Sequence, residues 1–336
     1  MSAIIPLASA LPCHIAITTH ANFSDLIRDH HVLAAIGFAE KAEILDKKKP
    51  LFTIGLPSLL EAETVTEVWL SSTPVTCGQY ADIIYSHNDD VLFGHLLLNE
   101  AHFSDLRQAS QIAYEQVFEL LNQSGYDYLL RMWNYFPAIT LQYGELNRYQ
   151  WFCLGRQDAL DKYGNFAYSP PAATAIGTEQ AGLQIYFLAA KRAGMQLENP
   201  RQVSAFLYPR QYGPVSPAFS RATVKDWGTG KHLYISGTTS IVGHETLHIN
   251  DPLGQLDETL ANLQALLMHG QATLGLPIKS VGELVQLKVY IHDATLFPAI
   301  QQRLQSALAG SAVHILYLRG DVCRAELMVE MEGIYA

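Results

Sequence analysis

The feature that most constrains this chain is a change of hydrophobic period that repeats along its last hundred residues. From Asp251 the sequence reads DPLGQLDETLANLQALLMHG, with Leu256, Leu260, Leu263 and Leu267 at helical spacing. Asp251 and Pro252 supply a helix-start signal. ELVQLKVYIHD, residues 283–293, predicts a buried strand, and FPAIQQRLQSAL a second helix from near Phe297. VHILYL from Val313 and AELMVEMEGIYA from Ala325 predict two closing strands. With the strand HLYISG ahead of it, the order is β-α-β-α-β-β. A fainter copy lies upstream, where FSDLRQASQIAYEQVFELLNQSG predicts a helix and YLLRMWNYFPAIT a strand, after the strand-rich run EVWLSSTPVTCGQYADIIYSHNDDVLFGHLLL. Matching Leu120-Leu121 to Leu266-Leu267 sets Arg131 opposite Lys288. Two similar α+β halves follow, divided as residues 1–160 and 161–336.

Length agrees, since 336 residues suggest about two domains at roughly 150 residues each. The formal charge of −10, from 22 basic and 32 acidic side chains without a basic run, argues against nucleic-acid binding. No apolar run reaches the ~18 residues of a membrane span. The start, MSAIIPLASALPCHIA, has the look of a signal peptide with a lipid-attachment cysteine at Cys13. It has no Lys or Arg before Arg28, and Pro12 stands where a small residue is wanted, so an N-terminal strand is the better expectation. Cys13, Cys77, Cys153 and Cys323 form no CxxC pair, which predicts neither a disulfide framework nor a zinc knuckle and makes a reduced, cytoplasmic setting the expectation.

His244-Glu245-Thr246-Leu247-His248 matches the zinc-protease pattern H-E-x-x-H, which has chemical meaning only on a helix, where residues four apart share a face. Its surroundings are strand and turn, so the reading is of two ordinary polar residues near a turn, with no metal and no cofactor. GTGK at Gly228 lacks the rest of a phosphate loop and reads as a surface turn. Between the halves, WFCLGRQDAL, SPPAATAIG and YPRQYGPVSPAFSRA form a less regular stretch punctuated by Gly and Pro, of the kind that often carries function.

ISGTTSI at Ile235, the LANLQALL helix, KVYIHD at Lys288 and the closing LMVEMEG resemble the RidA/YjgF-like fold, with its chorismate mutase-like topology. Joined to LRMWNYFPAI, YQWFCLGRQDAL, PPAATAIG, YFLAAKRAG and ENPRQVSAFLYPRQYGP, they resemble the chorismatases from about Cys77 onward. That resemblance implies a degenerate RidA-like domain ahead of a complete one, hydrolysis of chorismate, and a monomer or small homo-oligomer. RidA proteins themselves usually place an arginine some fifteen residues before the terminal glutamate; here AVHILYL, with His314, occupies that neighbourhood, which argues against deamination.

Cleaving the enolpyruvyl ether of chorismate requires a proton on the vinylic carbon and water to capture the resulting oxocarbenium ion, a task for a carboxylic acid kept protonated near neutral pH. Strand alternation puts Leu327, Val329 and Met331 on one face and Met328, Glu330 and Glu332 on the other. Pattern alone makes Glu330 a solvated residue; the resemblance makes it the acid. A dianionic substrate meeting a protein of charge −10 must be held by local arginines, whose forks match carboxylates. Candidates are Arg303, Arg221, Arg156 and Arg131. The resemblance favours Arg303, then Arg221 and Tyr212, then Arg156. It also implies an aromatising member, forming pyruvate and 3-hydroxybenzoate with 4-hydroxybenzoate as a second isomer, because Cys323 lies seven residues before Glu330 and Gly237 stands where simple hydrolases carry alanine; release of the non-aromatic diene diol and a non-catalytic RidA-like binding protein are the alternatives.

Overall fold

A computed structural model describes residues 11–60, 65–166 and 169–336, so most of the signal-like start lies outside the described residues. The described chain forms three main sheets. The first is built from β1 (Cys13–Thr19), β2 (His31–Ala39), β3 (Glu43–Asp46), β4 (Leu51–Gly55) and β5 (Val65–Ser71), in the order β1-β5-β2-β4-β3, with α1 (His20–Asp29) between β1 and β2. The expected N-terminal strand is thus found from Cys13, but it opens a sheet of its own.

The second unit runs β6 (Thr76–Tyr80), β7 (Ile83–His87), β8 (Val91–Leu98), α2 (Leu106–Ser124), β9 (Tyr128–Pro137), a short ribbon of β10 (Gln142–Tyr143) and β11 (Leu146–Asn147), α3 (Arg148–Lys162), β12 (Ala172–Thr178) and β13 (Leu183–Ala190). The third runs β14 (Met195–Leu197), β15 (Ala222–Asp226), β16 (Lys231–Thr238), a ribbon of β17 (Ile241–Val242) and β18 (Glu245–Thr246), α4 (Pro252–Leu274), β19 (Gln286–Ile291), α5 (Phe297–Ala307), β20 (His314–Arg319) and β21 (Val329–Tyr335). Their sheet orders, β12-β9-β13-β8-β7-β6 and β20-β19-β21-β16-β15-β14, correspond strand for strand. The internal repeat is therefore real, and the chain is α+β.

The division at residue 160 needs correction. β12 and β13 lie beyond it yet complete the second unit's sheet, so the chain passes to the third unit between Ala190 and Met195. The irregular stretch is likewise shorter than expected: WFCLGRQDAL lies in α3 and AATAIG in β12, leaving the connection from β14 to β15 as the irregular part. The glycines and prolines hid two regular elements whose ends are well signalled, α3 opening on a capping box of Asn147 and Gln150.

Helix ends follow the local chemistry elsewhere too. Asp251 caps α4 by accepting from the Gly254 backbone N–H, Pro252 stands in its first turn, and Gly275 closes it at φ 60°. α4 buries Leu256, Leu263, Leu266 and Leu267 against its own sheet, and α2 buries Val117, Phe118, Leu120 and Leu121 against the other. The helices cover the outer faces. The inner faces share a core rich in aromatics, among them Trp69, Trp133, Tyr186, Tyr234 and Tyr290, drawn from all three sheets.

Candidate active site

A cavity of about 320 Å³ opens where β12, the edge of the second unit's sheet, meets β16 of the third. That is large enough for a small ring compound. Asn134 of β9, Tyr149 and Arg156 of α3, Thr174 of β12, Gly237 of β16, Glu330 of β21 and the residues Cys323 to Glu326 line it; Tyr208, Tyr212, Phe219 and Arg221 of the irregular connection form one wall.

The local register explains how β16 reaches the cavity. β16 and β21 pair as Ile235 with Gly333 and Thr238 with Met331, so Ser236 and Gly237 together face a single residue, a β-bulge. Two groups at the bulge bond outside the ladder. Gly237 N–H donates to Thr174 Oγ1 (2.9 Å), and Ser236 Oγ donates to Ser220 O (2.5 Å) while accepting from Ala173 N–H (2.9 Å). A Cβ on Gly237 would lie 1.8 Å from Glu330 Oε1, so only glycine admits the carboxyl group where it sits.

Glu330 is only 4% exposed, although its face of β21 was readable from the sequence as solvated. Both faces of this strand are covered, because it lies between a helix layer and the inner core. Burial, reinforced by the negative charge of Glu332 and opposed by Arg131 and Arg221, lifts the Glu330 carboxyl to a pKa of about 8. It therefore holds its proton at neutral pH. Burial, with the Glu330 charge adding to it, raises the Cys323 thiol to about 12, so that group is a thiol rather than a thiolate.

Three guanidinium groups reach the cavity. Arg156 is buried, its Nη2 donating to Cys153 Sγ (3.6 Å). Arg221 is buried between Tyr208 and Phe219, with Nη2 donating to Val203 O and Tyr208 Oη, both at 2.8 Å. Arg324 lies 3.9 Å over the Tyr212 ring and donates through Nη1 to His244 O (3.0 Å) and Thr246 Oγ1 (3.1 Å). Among the described residues nothing accepts from Arg156 Nε, Arg221 Nε or Arg324 Nη2. With Glu326 the other carboxylate of the lining, the cavity is net positive in a protein of charge −10.

Glu330, Cys323, Gly237, Arg221, Tyr212 and Arg156 are thus brought together, and two expected residues are not. Arg303 stands on the solvent side of α5, half exposed, its guanidinium paired bidentately with Asp257 of α4 at 2.9 and 2.7 Å. Its place on an amphipathic helix allowed either face, and the packing of Ile300 and Leu304 inward turns it out. Arg131 is fully buried beneath the cavity, bound to Glu332 (2.7 Å) and Thr174 Oγ1 (2.5 Å), and does not line it. Arg324 lines the cavity although it was not among the expected residues; it was missed because it falls in an irregular loop, even though it directly follows Cys323.

HETLH lies on the β17–β18 ribbon, with Gly243 at φ 60° and His248 at φ 57°. His244 and His248 share no helix face. Nδ1 of His244 lies 3.1 Å from Tyr212 Oη, and His248 Nε2 3.3 Å from Glu258. No group of three or more His, Cys, Asp or Glu able to hold a metal occurs among the described residues, and no helix among them is long and apolar enough to cross a membrane.

The family described as "Chorismatase FkbO/Hyg5-like, N-terminal" matches residues 67–189. A 3-hydroxybenzoate synthase of Streptomyces hygroscopicus is 33% identical over 316 residues, covering 90% of this chain and 91% of its own. A chorismatase of the same organism is 36% identical over 284 residues, 82% of this chain and 80% of that one. Among solved structures, a chorismatase crystal structure superposes with a TM-score of 0.89 at 30% identity, covering 98% of this chain and 99% of the other.

Proposed function

The chain belongs to the chorismatase family and is an enzyme, and we propose that it converts chorismate to pyruvate and 3-hydroxybenzoate with Glu330 as the proton donor. The observation that carries the reading is a carboxyl group with a pKa of about 8, in contact with a cavity that three arginines line. Chorismate presents two carboxylates, and Arg156, Arg221 and Arg324 offer matched donors for them. Tyr208 and Tyr212, held by these arginines, supply apolar walls for the ring.

Glu330 gives its proton to the terminal methylene carbon of the enolpyruvyl group, leaving an oxocarbenium ion beside a carboxylate whose negative charge stabilises it. An oxygen nucleophile, water or the neighbouring ring hydroxyl, captures that ion, and the ether bond to the ring breaks as pyruvate leaves. Formation of the aromatic product needs loss of one ring proton and one hydroxyl as water. The glutamate left unprotonated by the first step is the base that can take the ring proton, so it ends as it began. Overall, chorismate divides into pyruvate and hydroxybenzoate with no net gain or loss of water. The space beside Gly237 and the neutral Cys323 thiol support the aromatising outcome, the thiol as a donor that steers the leaving hydroxyl.

The three sheets pack through one internal core, which supports a monomer, and four free cysteines support a reduced, cytoplasmic setting. Liquid chromatography of products from chorismate tests the function: pyruvate and 3-hydroxybenzoate in equal amounts are expected, and pyruvate with only the non-aromatic diene diol refutes the aromatising subtype.

A further inference from the structure

Beneath the cavity lies a buried set of four charges that the reaction does not touch. Lys288 Nζ of β19 sits 2.8 Å from Glu67 Oε2 and 3.2 Å from Glu332 Oε1. Glu332 Oε2 receives Arg131 Nη2 of β9 at 2.7 Å. Three of the four carboxylate oxygens also take an uncharged donor: Trp69 Nε1 on Glu67 Oε1 (2.7 Å), Gln286 Nε2 on Glu67 Oε2 (2.9 Å) and Trp133 Nε1 on Glu332 Oε1 (2.7 Å). All four charged side chains are almost wholly excluded from solvent. Two cations balance two anions, and the four come from all three sheets: Glu67 from β5, Arg131 from β9, and Lys288 and Glu332 from β19 and β21.

Such a set is a costly way to join sheets, since apolar side chains of the same volume do so at least as well. Its contact with the cavity gives it another use. Arg131 also donates to Thr174 Oγ1, the same atom that accepts from the Gly237 N–H of the bulge, and Gly237 is the surface against which Glu330 rests. Glu332 is two residues along the strand from Glu330, on the same face. The charged and titratable groups facing Glu330 are Glu332 on its own strand, Arg131 from β9, Arg221 from the irregular connection and Cys323 from the loop before β21, with Tyr290 its register partner on β19.

We propose that Glu67, on the first sheet, which lends no residue to the cavity lining, is a positioning residue for Glu330: by sharing Lys288 it sets how much of the Glu332 charge is left to act on the acid, while Arg131 and Thr174 hold the backbone that the acid rests on. The proposal depends on Glu330 being the proton donor. Burial works against the charge on Lys288, but Glu67 and Glu332 together outweigh it and hold the ammonium well above its ordinary range. Loss of one of the two carboxylates therefore leaves Lys288 charged and drawn wholly to Glu332. Glu330 then ionises more easily and becomes the stronger acid.

Glu67→Gln tests this: it keeps an oxygen for Trp69 and removes the charge, its amide nitrogen taking the place of Oε2 beside Lys288 Nζ and Gln286, whose own amide can turn its oxygen to accept. The ionisation midpoint of Glu330 is read in two ways: from the alkaline fall of kcat/KM with chorismate, and from the pH dependence of the stability difference between each background and its Glu330→Gln derivative. The second reading needs no turnover, so a protein inactive on chorismate refutes the proposed function without touching the tuning. Both midpoints are expected to move down by roughly half a pH unit in E67Q, less than the one to three units of a charge in direct contact, and to return in Glu67→Asp. A folded E67Q with unmoved or raised midpoints overturns the proposal. Should E67Q not fold, Trp133→Phe strips a donor from Glu332 and is expected to move the midpoints up; no upward movement overturns the proposal equally.

Discussion

Replacing Gly237 by alanine is the sharpest perturbation of this site, because the structure specifies what the added methyl meets. It would arrive 1.8 Å from Glu330 Oε1 and 2.9 Å from its Cδ, with Thr174 Cγ2 behind it at 3.3 Å. Ordinary van der Waals contact begins near 3.4 Å, so the carboxyl oxygen must retreat by about 1.6 Å. The backbone of Gly237 does not adopt positive φ, so it admits alanine without strain, and the glutamate side chain is the part that yields. A misplacement of ~1 Å costs on the order of a hundredfold in rate where a reacting group must be aligned, while overpacking a buried site costs about 1–3 kcal/mol of stability. G237A is therefore expected to fold with a modestly lowered Tm, to lose roughly two orders of magnitude in kcat for hydroxybenzoate formation, and to release less hydroxybenzoate per pyruvate. Stopped reactions with chorismate, analysed by chromatography for both products, give rate and ratio together. If G237A keeps the parental rate and a one-to-one ratio, the glutamate does not act from the position it occupies against this glycine, and the steric argument is wrong.

Four further outcomes follow from the same geometry. Glu330→Gln is expected to lower kcat by about 10²–10⁴, the ordinary worth of a positioned proton donor, and parental kcat/KM should fall tenfold per pH unit above about 8; a flat alkaline limb refutes the role. Since the Glu330 proton is held more tightly in the folded state, its stabilising effect is complete below the unfolded pKa near 4.5 and is lost as pH rises through about 8. At ~1.4 kcal/mol per tenfold change this amounts to roughly 5 kcal/mol as an upper figure, so E330Q should unfold at higher denaturant than the parent at pH 9 and show no such slope. Arg324→Ala should raise KM for chorismate by one to two orders of magnitude, whereas Arg303→Ala should leave both constants within about twofold, as a solvent-facing pair predicts; the reverse ranking in steady-state kinetics would restore Arg303. Cys323 should resist alkylation at pH 7.5, its thiol lying near 12, and rapid iodoacetamide labelling there would show that the burial of this site is overstated.

Periodicity made the third unit legible. The spacing of leucines in α4, the short β-rich runs around it and the helix-start signals are local properties, and local properties survive in the sequence. The faint copy was legible for a similar reason, because α2 and β9 keep the same alternation of period. What failed was the extent of that copy: β12 and β13 sit beyond a loop and a helix, and only strand pairing across some forty residues joins them to β9. Arg303 and Arg324 show the same limit within the site. An arginine on an amphipathic helix can face either way until its neighbours pack, and an arginine in a loop carries no periodic signal at all. The burial of Glu330 was invisible to alternation, which tells one face of a strand from the other but not that a second sheet covers the polar one. Glu67 was out of reach for the same reason, since Gln286 and Lys288, which link it to the site, lie some 219 residues or more along the chain.

β21 is paired with β19 from Val329 to Ile334 and, on its other edge, with β16 at Met331 and from Gly333 to Tyr335. A strand paired on two sides over most of its length frays little, so its amides are expected to exchange among the slowest of the unit. Glu330, the group proposed as the proton donor, rides on that strand. Heat inactivation and melting should accordingly be one event, with no warmed, still-folded form that has already lost its acid.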